Sequence, residues 1–110
     1  MNFYATDDYV NAIKQLTKKA KNGYSACEKD VSAYFKGKDI NFLIYTAHNL
    51  TKTEGSKDIT IWLKKAEIVN STKNKGKKAG YRLIFLIKPK VEEITLLYIY
   101  PKIGKFKSTQ

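Results

Sequence analysis

The stretch from Tyr81 to Tyr100 constrains this chain more than any other. Tyr81-Arg-Leu-Ile-Phe-Leu-Ile87 is β-branched and aromatic, and apolar on both faces except at Arg82. A run of that kind suits a central strand. Ile94-Thr-Leu-Leu-Tyr-Ile-Tyr100 has the same character. Pro89 closes the first run and Pro101 the second, since proline brings no N–H to a ladder. The Lys88–Glu93 connection is too short for the crossover that parallel strands require. The two runs are therefore expected to pair antiparallel.

Residues 59–69 read as a further strand, with Lys64 as the place where it would break. If Ala66 and Ile68 face the core, Lys65 and Glu67 point to the opposite, wetter face. Asn70 to Gly80 is a turn-rich basic loop. Upstream, the pattern is helical. Thr6 is positioned to cap a helix over residues 7–21, with Asp7 and Asp8 in its first turn. Val10, Ile13, Leu16 and Ala20 form an apolar stripe, and Asn22-Gly23 supplies a stop. Ser25-Ala-Cys-Glu28 fits a capping box for a second helix with Val31, Tyr34 and Phe35 on its apolar side and Gly37 at its end. Ile40–Tyr45 fits either a strand or a third helix, and residues 50–58 read as a polar loop. The expectation is one α+β domain over residues 1–110. An extended N-terminus leads into two N-terminal helices packed on a small, mostly antiparallel twisted sheet.

Composition narrows the function. The chain has 110 residues, one cysteine and one histidine, which excludes a disulfide framework and a Cys-based zinc site. Neither a metal nor a small-molecule cofactor is expected. No apolar run approaches the roughly 20 residues of a membrane span. Acids at positions 7 and 8 stand where a signal peptide carries bases, so a reducing cytoplasm is the expected setting. Cys27, in the first turn of the second helix and far in sequence from the lone histidine, reads as a small packing residue. His48 reads as a surface or structural histidine.

The formal net charge is +11, and 20 of the 21 basic residues are lysine, the exception being Arg82. Residues 64–107 hold 12 bases and 3 acids, whereas the other 66 residues hold 9 and 7. Such one-sidedness calls for a polyanionic partner. Between Lys64 and Arg82 lie seven bases and one acid, Glu67. Lys64, Lys73, Lys75, Lys77, Lys78 and, further on, Lys105 are candidate RNA-binding residues. If the strands are neighbours, Lys65, Arg82 and Lys102 can converge on one phosphate. Cleavage of RNA by its own 2′-hydroxyl needs no metal in principle. Fixed cations aimed at the charge building on the phosphoryl oxygens stabilise the transition state. A base must take the hydroxyl proton and an acid must serve the leaving oxygen. A lysine, a tyrosine or the carboxylate of Glu67 are the candidates.

Three segments in register, Lys65-Ala-Glu-Ile-Val-Asn-Ser, Gly76-Lys-Lys-Ala-Gly-Tyr-Arg-Leu-Ile-Phe-Leu-Ile87 and Leu96-Leu-Tyr-Ile-Tyr-Pro-Lys102, resemble the RelE/HigB branch of the RelE/ParE toxin superfamily. The likeness covers about residues 62–106, and the two preceding helices agree with the family's order. It implies a RelE-like fold and a ribosome-dependent mRNA endonuclease, the toxin of a type II toxin–antitoxin pair. The implied partners are a cognate antitoxin, the ribosome and mRNA. By position, Arg82 matches the catalytic arginine of the G-Y-R turn, Lys65 the first base of the preceding strand, and Lys102 a base just past the last strand. Glu67 stands where the family pattern has a second base. Some members carry a catalytic tyrosine on a C-terminal helix. None follows Tyr100 here, which makes Tyr100 the substitute. Two other functions fit the same residues: a ParE-like poison of DNA gyrase and a non-catalytic basic module that binds nucleic acid or protein.

Overall fold

The computed structural model describes residues 1–18, 23–51, 61–72 and 80–102. They form an α+β fold with elements in the order β1 (Asn2–Ala5), α1 (Asp7–Lys18), α2 (Cys27–Phe35), α3 (Ile40–Thr46), β2 (His48–Thr51), β3 (Trp62–Ile68), β4 (Tyr81–Lys88) and β5 (Glu93–Pro101). The sheet order is β1-β5-β4-β3-β2. β4 is central, as expected, and pairs antiparallel with both β3 and β5. A 3-10 turn at Pro89–Val91 and a left-handed Glu92 (φ 51°) reverse the chain between β4 and β5.

Two features depart from the expected architecture. The sheet is mixed, because the extended N-terminus adds β1 parallel to β5. Thr6 fastens this arrangement. Its N–H donates to Leu96 O (3.0 Å), and its Oγ1 donates to Leu97 O (2.8 Å) while accepting from Tyr9 N (3.1 Å). One side chain thus caps α1 and ties it to β5. The helices number three rather than two among the described residues. Ile40–Thr46 is helical because the Asp39 carboxylate accepts from Phe42 N (2.8 Å) at its start. Among the described residues, no helix is long and apolar enough to cross a membrane.

Helix faces and caps also differ in detail. The buried side of α1 is Tyr9, Ala12, Ile13 and Leu16, whereas Val10 is exposed. Ala20 and the end expected at residues 19–22 lie outside the described residues. α2 starts at Cys27 behind Ala26, which makes no side-chain cap, so the Ser25–Glu28 box does not form. β3 runs unbroken through Lys64, since both of its neighbours bind it there: Asn49 on β2 and Phe85 on β4.

The core lies between the helices and one face of the sheet. Tyr81, Leu83, Phe85 and Ile87 of β4, Ala66 and Ile68 of β3, and Ile94 and Ile99 of β5 are buried against Leu16, Val31, Phe35 and Leu43. Phe35 is the hub, with ring centroids 5.1 Å from Phe3, 5.0 Å from Tyr34 and 5.4 Å from Phe85, each close to perpendicular. Edge-to-face packing of this kind adds to the burial of apolar area. Among the described residues, the other face of β3, β4 and β5 carries no helix, and its side chains are mostly half-buried.

Candidate functional site

Strand pairing places the candidate residues on that helix-free face. Glu67 of β3 stands opposite Arg82 of β4, and Arg82 stands opposite Tyr100 of β5. These three form one row across the sheet, because directly paired residues share a face. The next row runs Lys65, Ile84, Tyr98. The Tyr98 and Tyr100 rings lie side by side, 6.2 Å between centroids. Beyond Pro101, Lys102 N donates to Gly80 O (2.9 Å), which carries the β5 ladder one residue further. The Lys102 ammonium reaches over β4 to Glu67 Oε1 at 2.6 Å. Lys65, Glu67, Arg82, Tyr100 and Lys102 therefore occupy one patch drawn from three strands. Arg82 Nε is shielded from solvent and has no hydrogen-bond partner among the described residues.

Lys64 does not belong to this patch. The alternation that puts Ala66 and Ile68 inside puts Lys64 inside as well, only 1% exposed. Its Nζ donates to Ile44 O (2.5 Å) and Ala47 O (3.1 Å), carbonyls at the end of α3, and sits 4.9 Å from the Trp62 ring centroid. A cation is well placed on the last carbonyls of a helix. Burial pushes its amine below the ordinary lysine value. Lys64 is therefore a structural lysine and not the exposed RNA contact expected of it. Lys73, Lys75, Lys77, Lys78 and Lys105 lie outside the described residues.

Cys27 is fully buried. Burial first, and then the nearby carboxylates of Asp30 and Glu28, push its thiol up to about 12. A thiol held neutral is a poor nucleophile, which agrees with a packing role.

A residue set aside on sequence lies next to the patch. His48 is exposed and pairs directly with Lys65 across β2 and β3. The pairing of β2 with β3 ends there, and a cleft of about 230 Å³ opens at this end of the ladder, bordered by Tyr34, Lys38, Phe42, His48, Lys65 and Glu67. Residues 48 and 65 are far apart in sequence, so only the strand pairing brings them together. A larger cleft of about 700 Å³ lies on the helical side of the sheet among Phe3, Val10, Ile13, Val31, Phe35 and Leu96. Its walls are mainly apolar and it collects none of the candidate residues. Among the described residues, no three His, Cys, Asp or Glu side chains come together to hold a metal ion.

Comparison with protein-family models, with curated proteins and with solved structures returned no match.

Proposed function

We propose that this chain is a RelE/HigB-like mRNA endonuclease toxin that cuts messenger RNA on the ribosome, and that the helix-free face of β3–β5 is its RNA-facing surface. The observation that supports this reading most is the row Glu67–Arg82–Tyr100 flanked by Lys65 and Lys102. Five residues chosen from a linear motif meet on one face around the only arginine.

In this reading the 2′-hydroxyl attacks the adjacent phosphorus without a metal. The Arg82 guanidinium, a planar fork with donors to spare, binds two phosphoryl oxygens as they gain charge. Lys65, one strand over and two residues along, adds a point charge on the same side. Lys102 holds Glu67 in place and completes a cationic rim. Tyr98 and Tyr100 offer ring faces on which bases can stack. A cognate antitoxin with an acidic or amphipathic segment would silence the toxin by covering this face, and the setting would be the bacterial cytoplasm.

Primer extension on mRNA undergoing translation tests the reading. The wild-type chain is expected to give codon-phased cuts. Arg82→Ala is expected to lower the cleavage rate by about 100- to 1,000-fold, the usual effect of losing one preorganised oxyanion donor. Intact mRNA together with inhibited DNA supercoiling would assign the chain to gyrase poisoning instead. Binding of the free chain to ribosomal RNA should weaken steeply as salt rises from about 50 to 200 mM, because phosphate contacts release counterions. A flat salt dependence measured by filter binding would contradict a phosphate-reading face.

A further inference from the structure

We propose that His48 is the general base of the cleavage reaction, taking the proton from the attacking 2′-hydroxyl. This inference rests on the ribonuclease reading above and supplies the proton acceptor that its motif residues leave open.

Placement comes first. His48 is paired in register with Lys65, so its imidazole rises from the same side of the sheet as Lys65 and Glu67. It is exposed, and it borders the same cleft as those two residues. From Arg82 it lies two strands across and two residues along, so the Cα atoms are about 12 Å apart by ordinary strand spacing. Side chains reaching inward from both positions would span that distance around a single phosphodiester, the guanidinium on the phosphoryl oxygens and the imidazole toward the ribose.

The chemistry of the neighbours narrows the choice. Glu67, the other candidate base, has Oε1 in an ion pair with Lys102 at 2.6 Å. Tyr34 borders the cleft, but burial raises its phenol above the ordinary value and keeps it protonated. The Lys38 ammonium turns back onto the end of α2, bonded to Tyr34 O and over the Tyr34 ring. The charged groups around the imidazole are therefore Lys65 and Glu67 from β3 and Lys38 after α2, while α3 contributes none. Among side chains, imidazole ordinarily changes charge near neutral pH, which suits it to accept a hydroxyl proton there.

The step balances without a co-reactant. The 2′-O–H proton passes to an imidazole nitrogen, and the 2′-oxygen bonds to phosphorus. The bond from phosphorus to the 5′-oxygen breaks with its electron pair on that oxygen, which takes a proton from water. The imidazolium then returns its proton to solvent. The products are a 2′,3′-cyclic phosphate and a 5′-hydroxyl.

The test compares wild type, His48→Gln, His48→Ala and Arg82→Ala as full chains, on mRNA in a reconstituted translation reaction. Thermal unfolding and ribosome binding are measured alongside. His48→Gln should cleave at least about 100-fold more slowly, the usual share of a general base, with unfolding and ribosome binding unchanged. Added imidazole should restore part of the His48→Ala rate, which a purely structural histidine would not permit. Cleavage by His48→Gln within a few-fold of wild type would overturn this proposal and leave the ribonuclease reading standing. No cleavage by the wild type would remove both.

Discussion

Lys64 and Lys65 are adjacent in the chain and identical in chemistry, yet they belong to opposite faces of β3. Lys64 points into the core, where its ammonium closes the end of α3 on Ile44 O and Ala47 O. Lys65 points to the helix-free face, between His48 and Ile84 and one row from Arg82. Because the strand repeat is two, one residue separates a structural cation from a candidate phosphate contact. The lesson extends along β4, where Leu83 is fully buried and its neighbour Ile84 is half-buried on the other side.

That contrast is open to measurement. The largest effect is expected on β4. Leu83→Ala should cost about 2–5 kcal/mol of unfolding free energy, because it deletes buried methyl groups and leaves a cavity. Ile84→Ala should cost clearly less, since its side chain is already partly in water and leaves no closed cavity. Equal losses in urea unfolding would mean that both faces of the sheet are packed alike. The next effect is on β3. Lys64→Met keeps the volume but leaves two buried carbonyls at the end of α3 without their donor, at a cost of about 1–3 kcal/mol. Faster amide exchange should appear in α3. Lys65→Met should change stability by no more than about 0.5 kcal/mol, as surface substitutions generally do. A reversed order would place the wrong lysine inside.

A separate effect, absent at neutral pH, is read in alkali. The Cys27 thiol ionises near its ordinary 9.0 when the chain is unfolded but only near about 12 when folded. The unfolded state therefore sheds this proton first as pH rises. Stability is fully present below pH 9 and is lost progressively between 9 and 12. Cys27→Ala should remove that part of the loss. Urea midpoints followed over this range in both proteins give the difference, and parallel curves would contradict a buried neutral thiol.

Much of this fold was legible without coordinates where the physics is local. The prolines and the short connection sufficed for the antiparallel β4–β5 pair, and Thr6 with Asp7 and Asp8 sufficed for the start of α1. The alternation at Ala66 and Ile68 also contained the burial of Lys64, since a period of two leaves no other side for it. That signal was in the sequence, and the pull of a basic cluster obscured it. Ile40–Thr46 was ambiguous because seven apolar and small polar residues suit a strand or a helix equally. The Asp39 cap on Phe42 N decided it.

The amino-acid sequence by itself determined the α+β composition, the central place of Tyr81–Ile87 and the concentration of positive charge after residue 64. Each follows from periodicity, turn chemistry or charge along a short stretch of chain. Tertiary structure alone decided which distant segments meet. It laid residues 2–5 parallel to residues 93–96, and set His48 beside Lys65. It also drew Lys102 across β4 onto Glu67. Backbone hydrogen bonds between strands are identical for every sequence, so partners are chosen by how whole faces bury together. That choice is a property of the assembled core and of no single segment.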